Sequence, residues 1–397
     1  DAPPAAVAGG PLTPGVAQLR VWVTGAGNPG LSSPNGRRLE EALAGLDVMV
    51  SVDYYLNETT RHADIILPPT AALERSHYDL IFSMFAVRNF AKYSEALFDA
   101  GPDTRHDWQI LLELAHRLEK LQKGGKLPMR TELGWRAFKQ IGPDPILDLL
   151  LRSGPYGADA GRARGFVQPA VDLAIDILPK RNPLRGLAKL SPLNRHWDEL
   201  PKGLSLSALK DNPNGVDLGP LRPSLPERLF TRDGKINLAP RRYLDDLGRL
   251  RDTLAAPGGD SLQLIGRRHV RSNNSWMHNS QRLVKGKDRC TLMIHPRDAS
   301  RLGLQAADSA EIASESGQIV LPVEITEDLM PGVVSIPHGW GHDRDGTGQS
   351  VATAHAGASI NDVLSDGDID PLSGTSVLNG QPVSVKVWRP ERQRKRA

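Results

Sequence analysis

The sequence predicts an α/β protein with a parallel-sheet domain, an irregular connector and a small C-terminal β-barrel. Three observations carry this. Between residues 18 and 140, short β-branched runs alternate with helical periods, and that alternation builds a parallel sheet with helices on its faces. Residues 141–257 are rich in Pro, Gly and Arg and lack long periodic elements. From 258 to 388, short strands are separated by Gly, Asp and Pro turns, the pattern of a small closed barrel. An Ala/Pro/Gly-rich linker, 1–17, and a basic tail, 389–397, flank these zones.

The elements follow in order. Residues 19–23 (Leu-Arg-Val-Trp-Val) read as a buried strand. A glycine-rich loop leads to a helix signal, with Ser33, Pro34 at the first helical position and an apolar period through residues 38–45. Val48–Val52 is a second strand ending at Asp53. Residues 58–63 form a short helix, and residues 64–67 a third strand closed by Pro68 and Pro69. Asp103 or Thr104 caps a long helix whose apolar stripe is Trp108, Leu111, Leu112, Ala115 and Leu118. The connector holds only short amphipathic pieces, residues 145–151 and 171–178. Barrel strands are expected at 261–265, 290–294, 310–313, 318–325, 332–336 and 383–387, with one helix, Pro296–Leu302, stopped by Gly303.

Composition excludes several classes. Apolar residues make up 39% and charged residues 24%, which rules out wholesale disorder. No apolar run is long enough for a transmembrane helix. The single cysteine, Cys290, cannot build a disulfide framework or a four-cysteine metal or cluster site within this chain. Its place in an expected strand reads as a buried structural thiol. The net charge of +3 resides partly in the tail, which reads as solvated. A nucleic-acid module would need a basic face interleaved with aromatics, which the tail lacks beyond Trp388. The first 17 residues have neither the charged nor the apolar region of a signal peptide, and they read as a linker that continues from an N-terminal part.

The chemistry begins at residues 25–30, Gly-Ala-Gly-Asn-Pro-Gly, which match G-x-G-x-x-G after a strand. In an ordinary dinucleotide site the helix opens directly on this loop. Here residues 32–35 intervene, and Pro29 removes one backbone donor. The loop is therefore either a wider cradle for a different nucleotide or a turn without a ligand. Asp53 stands at the C-terminal end of the second strand, where α/β sheets present ligand contacts. Its carboxylate can accept two hydrogen bonds from a ribose diol or a guanine edge, or it can serve as a local cap.

These residues resemble a family. Gly25, Asn28 and Pro29, then Ser33, Pro34 and Asn35, the run from Leu43 to Asp53, Glu58 and Thr59, residues 63–69 and Glu74 follow the order and spacing of one domain of the molybdopterin oxidoreductases. These enzymes, formate dehydrogenases and nitrate reductases among them, hold molybdenum or tungsten on two molybdopterin guanine dinucleotides. Residues 267–279, 295–303, Asp308, Ser316, Gly317, 331–334, 338–341, Asn361 and 371–374 resemble the family's dinucleotide-binding barrel. The resemblance implies a Rossmann-like domain followed by a double-psi-like barrel. It implies cofactor contacts at Gly25, Asn28, Pro29 and Thr59, with Asp53 at the guanine end. In the barrel it implies contacts at Arg268, Asn274, Ser275, His278, His338, Gly339 and Asn361. Asn, Ser and His on loops can match a pterin's fixed array of donors and acceptors, and arginine complements its diphosphate.

The resemblance covers only the C-terminal half of a family member. An iron–sulfur cluster and the residue bound to the metal would belong to an N-terminal half, so no catalytic residue is assigned in this chain. The expected function is that of the cofactor-binding part of a bis-dinucleotide oxidoreductase, formate dehydrogenase-like or nitrate reductase-like. Its partners would be the N-terminal half of the same enzyme and an unspecified electron carrier, without nucleic acid or membrane span, and its place the cytoplasm. The alternative is a cofactor-free structural subunit of a respiratory complex with the same fold. The pair His338 and His342 has a zinc-like spacing, but such pairs work on helices, and Gly339 and Gly341 argue against one.

Overall fold

The structure is a computed structural model and describes residues 18–159, 200–223, 225, 229, 231, 233–255 and 261–390. The expected linker, the piece at 171–178 and residues 391–397 of the tail lie outside the described residues. The chain forms two compact units. One combines the residues up to Pro68 with those from Arg241 onward, and the other is Pro69–Pro240.

In the first unit, β1 (Val21–Gly25), β2 (Val48–Val52) and β3 (Ile65–Ile66) form a parallel sheet in that order. Register places Val21 beside Val48 and Val23 beside Val50, with Trp22 beside Met49 on the opposite face. That second face is covered by α2 (Gly36–Ala44), which buries Leu39, Ala42 and Leu43 against Met49. A four-residue helix, α1 (Pro29–Ser32), opens directly on the glycine-rich loop, so the expected gap between loop and helix is not there. Pro29 sits in its first turn, where a missing N–H costs nothing. The helix start expected at Pro34 moves to Gly36, because Asn35 takes a left-handed conformation (φ 53°) and bonds across to the barrel segment. Its N–H donates to the Leu364 carbonyl at 2.9 Å and its amide to Asp366 Oδ1 at 2.9 Å.

The barrel holds the rest of this unit. Its strands are β8 (Leu262–Arg267), β9 (Leu292–Ile294), β10 (Ser309–Ala313), β11 (Gln318–Ile325), β12 (Val333–Pro337) and β13 (Gln381–Val387). They close in the order β10-β11-β9-β12-β8-β13. Two pairs, β8 with β12 and β9 with β11, are parallel, and the remaining pairs are antiparallel. Two parallel pairs interlocked within six strands are the double-psi arrangement. Alternate residues point inward, as a half-buried strand requires. Leu264, Leu292, Ile294, Ile312, Val334 and Ile336 are fully buried in one core. The helix Pro296–Leu302 forms as expected, capped by the His295 ring accepting from Arg297 N at 3.0 Å and ended by Gly303 at φ 68°. Cys290 is buried two residues ahead of β9 rather than within it, and burial pushes its thiol up to about 12.

The second unit contains β4 (His77–Tyr78) paired with β6 (Tyr93–Ser94), and β5 (Arg88–Ala91) paired with β7 (Val216–Pro220). Its helices include α3 (Asp107–Gln122), α4 (Met129–Ile141), α5 (Pro143–Ser153) and α6 (Leu206–Lys210). The cap of α3 is His106, not Asp103 or Thr104. Thr104 spends its hydroxyl on the Gly101 carbonyl at 2.6 Å, while the Gln109 side chain accepts from His106 N at 2.9 Å. The expected stripe is not a core face, since Leu111 and Leu118 are exposed and His116 is the buried residue. Part of the segment read as irregular is ordered. Leu151, Leu204, Leu206, Leu209 and Leu218 form a core with Ala91 and Tyr93.

Candidate functional site

The expected site residues fall into groups within the first unit. The first is a buried polar network between the sheet loops and the barrel loops. Asn28, just ahead of α1, is 9% exposed and donates from Nδ2 to Glu58 Oε2 at 2.7 Å and to Ser275 Oγ at 3.4 Å. The Thr59 hydroxyl donates to Asn28 Oδ1 at 2.7 Å and accepts from Gly30 N at 2.9 Å. Glu58 Oε1 faces His342 Nδ1 at 2.7 Å, His342 Nε2 faces His278 Nδ1 at 2.9 Å, and His278 Nε2 faces Ser272 Oγ at 2.9 Å. The His278 ring stacks on Trp340 with centroids 4.0 Å apart.

Electrostatics assign the protons in this network. Burial works to raise the Glu58 carboxyl, but hydrogen bonds from His342 and Asn28 and the field of His342 outweigh it and hold the group below its ordinary value. Burial, with His342 and Arg289 nearby, lowers His278 to about 3, so its ring is neutral at physiological pH. Both ring nitrogens of His342 are taken by protein partners, which leaves no lone pair for a metal. Among the described residues no group of three His, Cys, Asp or Glu side chains could hold a metal ion.

Asp53 stands apart, at the end of β2. It is 2% exposed and accepts from Tyr55 N at 3.0 Å and from Asn57 Nδ2 at 3.5 Å. Burial raises its pKa, opposed by the Tyr55 and Tyr54 amides and the Asn57 side chain. Gly25 is exposed at the end of β1 with open space beside it.

On the barrel side, the chain after β8 turns through Asn273 and Asn274, both left-handed at φ 43° and 58°. Asn is among the few residues that enter that region at low cost. Arg268 reaches the Asn274 side chain. Arg268, His269, Val270, Asn273, Asn274 and Met277 line a surface hollow of about 520 Å³. Gly339 passes so close beneath this loop that a Cβ would lie 1.9 Å from the Asn274 carbonyl oxygen, and its φ is +95°. Only glycine fits there. Next to it His338 is lowered to about 4 by burial and by Arg268. Asn361 is buried and spends its amide on the Leu31 carbonyl at 2.7 Å, which ties the barrel to α1.

Sequence reasoning missed the buried charges that lock these loops. Arg344, 3% exposed, pairs with Glu40 of α2 at 2.5 Å and with both oxygens of Asp362 at 2.9 and 2.8 Å. Burial opposes its charge, yet Asp362 and Glu40 raise its pKa further still. Glu40 also holds Arg61 at 2.9 Å. These residues stand singly along the sequence, without a motif, and only their convergence marks them. His342 was visible only as one of a zinc-spaced pair, a reading that Gly339 and Gly341 argued against, and nothing in that spacing pointed to a carboxylate.

Comparison with known proteins places this arrangement. The family model for the Molydopterin dinucleotide binding domain matches residues 262–382, which span the barrel. The Molybdopterin oxidoreductase model matches residues 12–117. A dimethyl sulfoxide/trimethylamine N-oxide reductase of Rhodobacter capsulatus is 26% identical over 82% of this chain and 36% of its own length. Trimethylamine-N-oxide reductase 1 of Escherichia coli K12 is 24% identical over 85% of this chain and 37% of its own length. The assimilatory nitrate reductase catalytic subunit of Bacillus subtilis is 36% identical over 23% of this chain and 12% of its own length. The chain thus spans little more than a third of the length of these two N-oxide reductases. Among solved structures, acetylene hydratase from Pelobacter acetylenicus shares the fold, with TM-score 0.59 and 17% identity over 97% of this chain and 46% of that one. With both of its matched segments meeting in one buried network, the chain belongs to the molybdopterin oxidoreductase family, and its barrel is a molybdopterin-dinucleotide-binding domain.

Proposed function

We propose that this chain is the cofactor-binding part of an oxidoreductase that carries molybdenum or tungsten on two molybdopterin guanine dinucleotides. The observation that carries the reading is the meeting of two sequence-distant loops, 25–30 and 268–279, through Asn28 and Ser275. The donor set fits such a ligand. The hollow after β8 offers the Arg268 guanidinium, the His269 ring and the amides of Asn273 and Asn274, which suit a diphosphate and a pterin edge. Gly339 lets the loop sit without a side chain beneath it. Asp53, buried at the sheet's ligand end, suits a guanine base, which offers two donors on one edge. Contact roles for Gly25, Pro29, Thr59, His278, His338 and Asn361 are part of the same proposal. His278 and Asn361 would act by holding their loops, since their polar atoms bond within the protein. When bound, the metal of this cofactor supplies the two-electron chemistry, and the protein binds, orients and shields it.

The narrower reading is a reductase of an S-oxide, an N-oxide or nitrate. The reductases that match over four-fifths of the chain are named for the first two and a shorter match for the third. These relatives do not bear specifically on the formate dehydrogenase-like expectation. An N-terminal part of the same enzyme is the proposed partner. The β1–β2–β3 sheet leaves Val21, Val23 and Ile65 exposed on one face, and parallel sheets are covered on both. No helix among the described residues is long and apolar enough to cross a membrane. A cytoplasmic location belongs to the proposal, with cell fractionation as its test.

The function is tested on the full-length protein from its native host. Molybdenum or tungsten with about two acid-released GMP per metal, and reduction of trimethylamine N-oxide, dimethyl sulfoxide or nitrate by a reduced viologen, is the expected result. Absence of both metal and GMP in a host that makes the cofactor would leave the cofactor-free structural subunit as the reading.

A further inference from the structure

The buried network has a property that neither loop has alone. Asn28 and Glu58 belong to the sheet segment, while Ser272, Ser275, His278 and His342 belong to the barrel segment. Each of these side chains is at least nine-tenths buried, and each bonds to another member. We propose that Glu58 and His342 are positioning residues that couple the loop of residues 25–30 to the loop of residues 268–279, so that the two loops proposed above to hold the cofactor keep their shape as one unit.

Ionised Glu58 only accepts, so Asn28 donates to Oε2 and His342 must carry its proton on Nδ1 to donate to Oε1. His342 Nε2 and His278 Nδ1 share one proton between them, and His278 Nε2 meets the Ser272 hydroxyl, which can donate or accept. Every group has a partner within the set. Arg289 acts on His278 through its field, and the Arg61 guanidinium donates to the Glu58 backbone carbonyl at 3.3 Å. If one member is removed, its neighbour on each side is left buried without that partner, which is costly in a low-dielectric interior. The next lowest state releases a loop to water, and it can release either loop.

Two substitutions at position 58 differ in what they can bond. Glutamine at 58 can accept from Asn28 through its carbonyl and donate from its amide to His342 Nδ1. His342 then donates from Nε2 to His278 Nδ1, His278 donates from Nε2 to the Ser272 hydroxyl, and the chain of bonds stays closed. Leucine at 58 closes nothing.

The test uses the full-length protein purified from a host that makes the cofactor. Hydrogen exchange over residues 272–278 and acid-released GMP are measured for Glu58→Leu, Glu58→Gln and Leu321→Ala. Leu321 is buried in the barrel core on β11, a strand that carries no member of the network. Glu58→Leu is expected to speed exchange at residues 272–278 by about tenfold or more, more than two hundred positions away in sequence, and to lower the GMP content. Glu58→Gln is expected to stay within about threefold of the parent in exchange. Equal loosening of this loop in Leu321→Ala, compared at a matched loss of thermal midpoint, would show general destabilisation and overturn the coupling. So would a Glu58→Gln protein as loose as Glu58→Leu. A parent protein without GMP that still shows the exchange pattern would support the coupling while removing the cofactor reading.

Discussion

His278 carries a pH dependence whose sign follows from its burial. An unfolded histidine titrates near 6.5, whereas this ring is lowered to about 3. Between those values the unfolded chain takes up a proton that the folded one refuses. Its contribution is therefore fully present above about 6.5 and is lost as the pH falls toward about 3, at up to about 1.4 kcal/mol per pH unit. His338, lowered to about 4, adds a slope of the same sign. Urea unfolding of His278→Gln between pH 6.5 and 4.5 should show a stability that falls less steeply with acid than the parent's. An identical slope would mean that His278 is protonated in the fold. Gly339 makes a second residue-scale prediction. Alanine there meets the Asn274 carbonyl at 1.9 Å in a left-handed conformation, so Gly339→Ala should lower stability by about 3 kcal/mol or more, read from the denaturation midpoint. The glycine was legible in the sequence as part of a motif. Its reason, a backbone passing beneath another loop, was not.

Elements meet through charge as much as through apolar contact. The α2 helix offers Leu39 and Leu43 to Met49 on one side and Glu40 to Arg344 and Arg61 on another. Arg344 also grips Asp362, and Arg37 of α2 reaches Asp362 at 3.3 Å. A buried pair of this kind is poor evidence of net stabilisation, because desolvation offsets the attraction, but breaking it is costly. Arg344→Met leaves Glu40 with Arg61 alone and Asp362 with Arg37 alone, and the expected loss is about 3 kcal/mol in chemical denaturation. A loss under about 1 kcal/mol would mean that water, with Arg61 on Glu40 and Arg37 on Asp362, takes over the two carboxylates. Helix boundaries show the same dependence on partners. The sequence placed the start of α2 at Pro34, but Asn35 turned out to be held by Leu364 and Asp366, more than three hundred residues away. In α3 the apolar stripe was periodic enough to read as a core face. His116 is buried instead, paired with Glu132 at 3.0 Å and stacked on Trp135.

At the scale of the molecule, the first unit is discontinuous. Its sheet is made before Pro68 and its barrel after Arg241. The sheet's own buried apolar core is small, namely Leu39, Ala42, Leu43 and Met49, and too small to pay the ordering entropy of the segment alone. Contacts so distant in sequence also slow folding. A chain ending at Pro240 should therefore lose amide protection over residues 18–68 while the core around Leu209 and Leu218 keeps it. Protection of residues 18–68 in that truncated chain would show that the sheet stands without the barrel. Asp53 joins this scale to function. Burial raises its pKa, so its ionised form costs the fold something at neutral pH, and Asp53→Asn should leave stability unchanged or higher. GMP retention by the full-length protein should fall in the same variant if the carboxylate reads a guanine.

The sequence by itself determined the order of sheet, connector and barrel, because strand and helix periodicities and their turn residues are local properties. It also determined the family, because the spacing of Asn28, Asp53, Thr59 and residues 267–279 survives in one dimension. Tertiary structure alone decided how those residues are used. The bonds from Asn28 to Ser275, from Glu58 to His342 and from Arg344 to Glu40 each cross more than two hundred positions or join segments with no pattern of their own. Burial turns such isolated polar residues into a network, since a group removed from water must find its partner wherever the fold brings one.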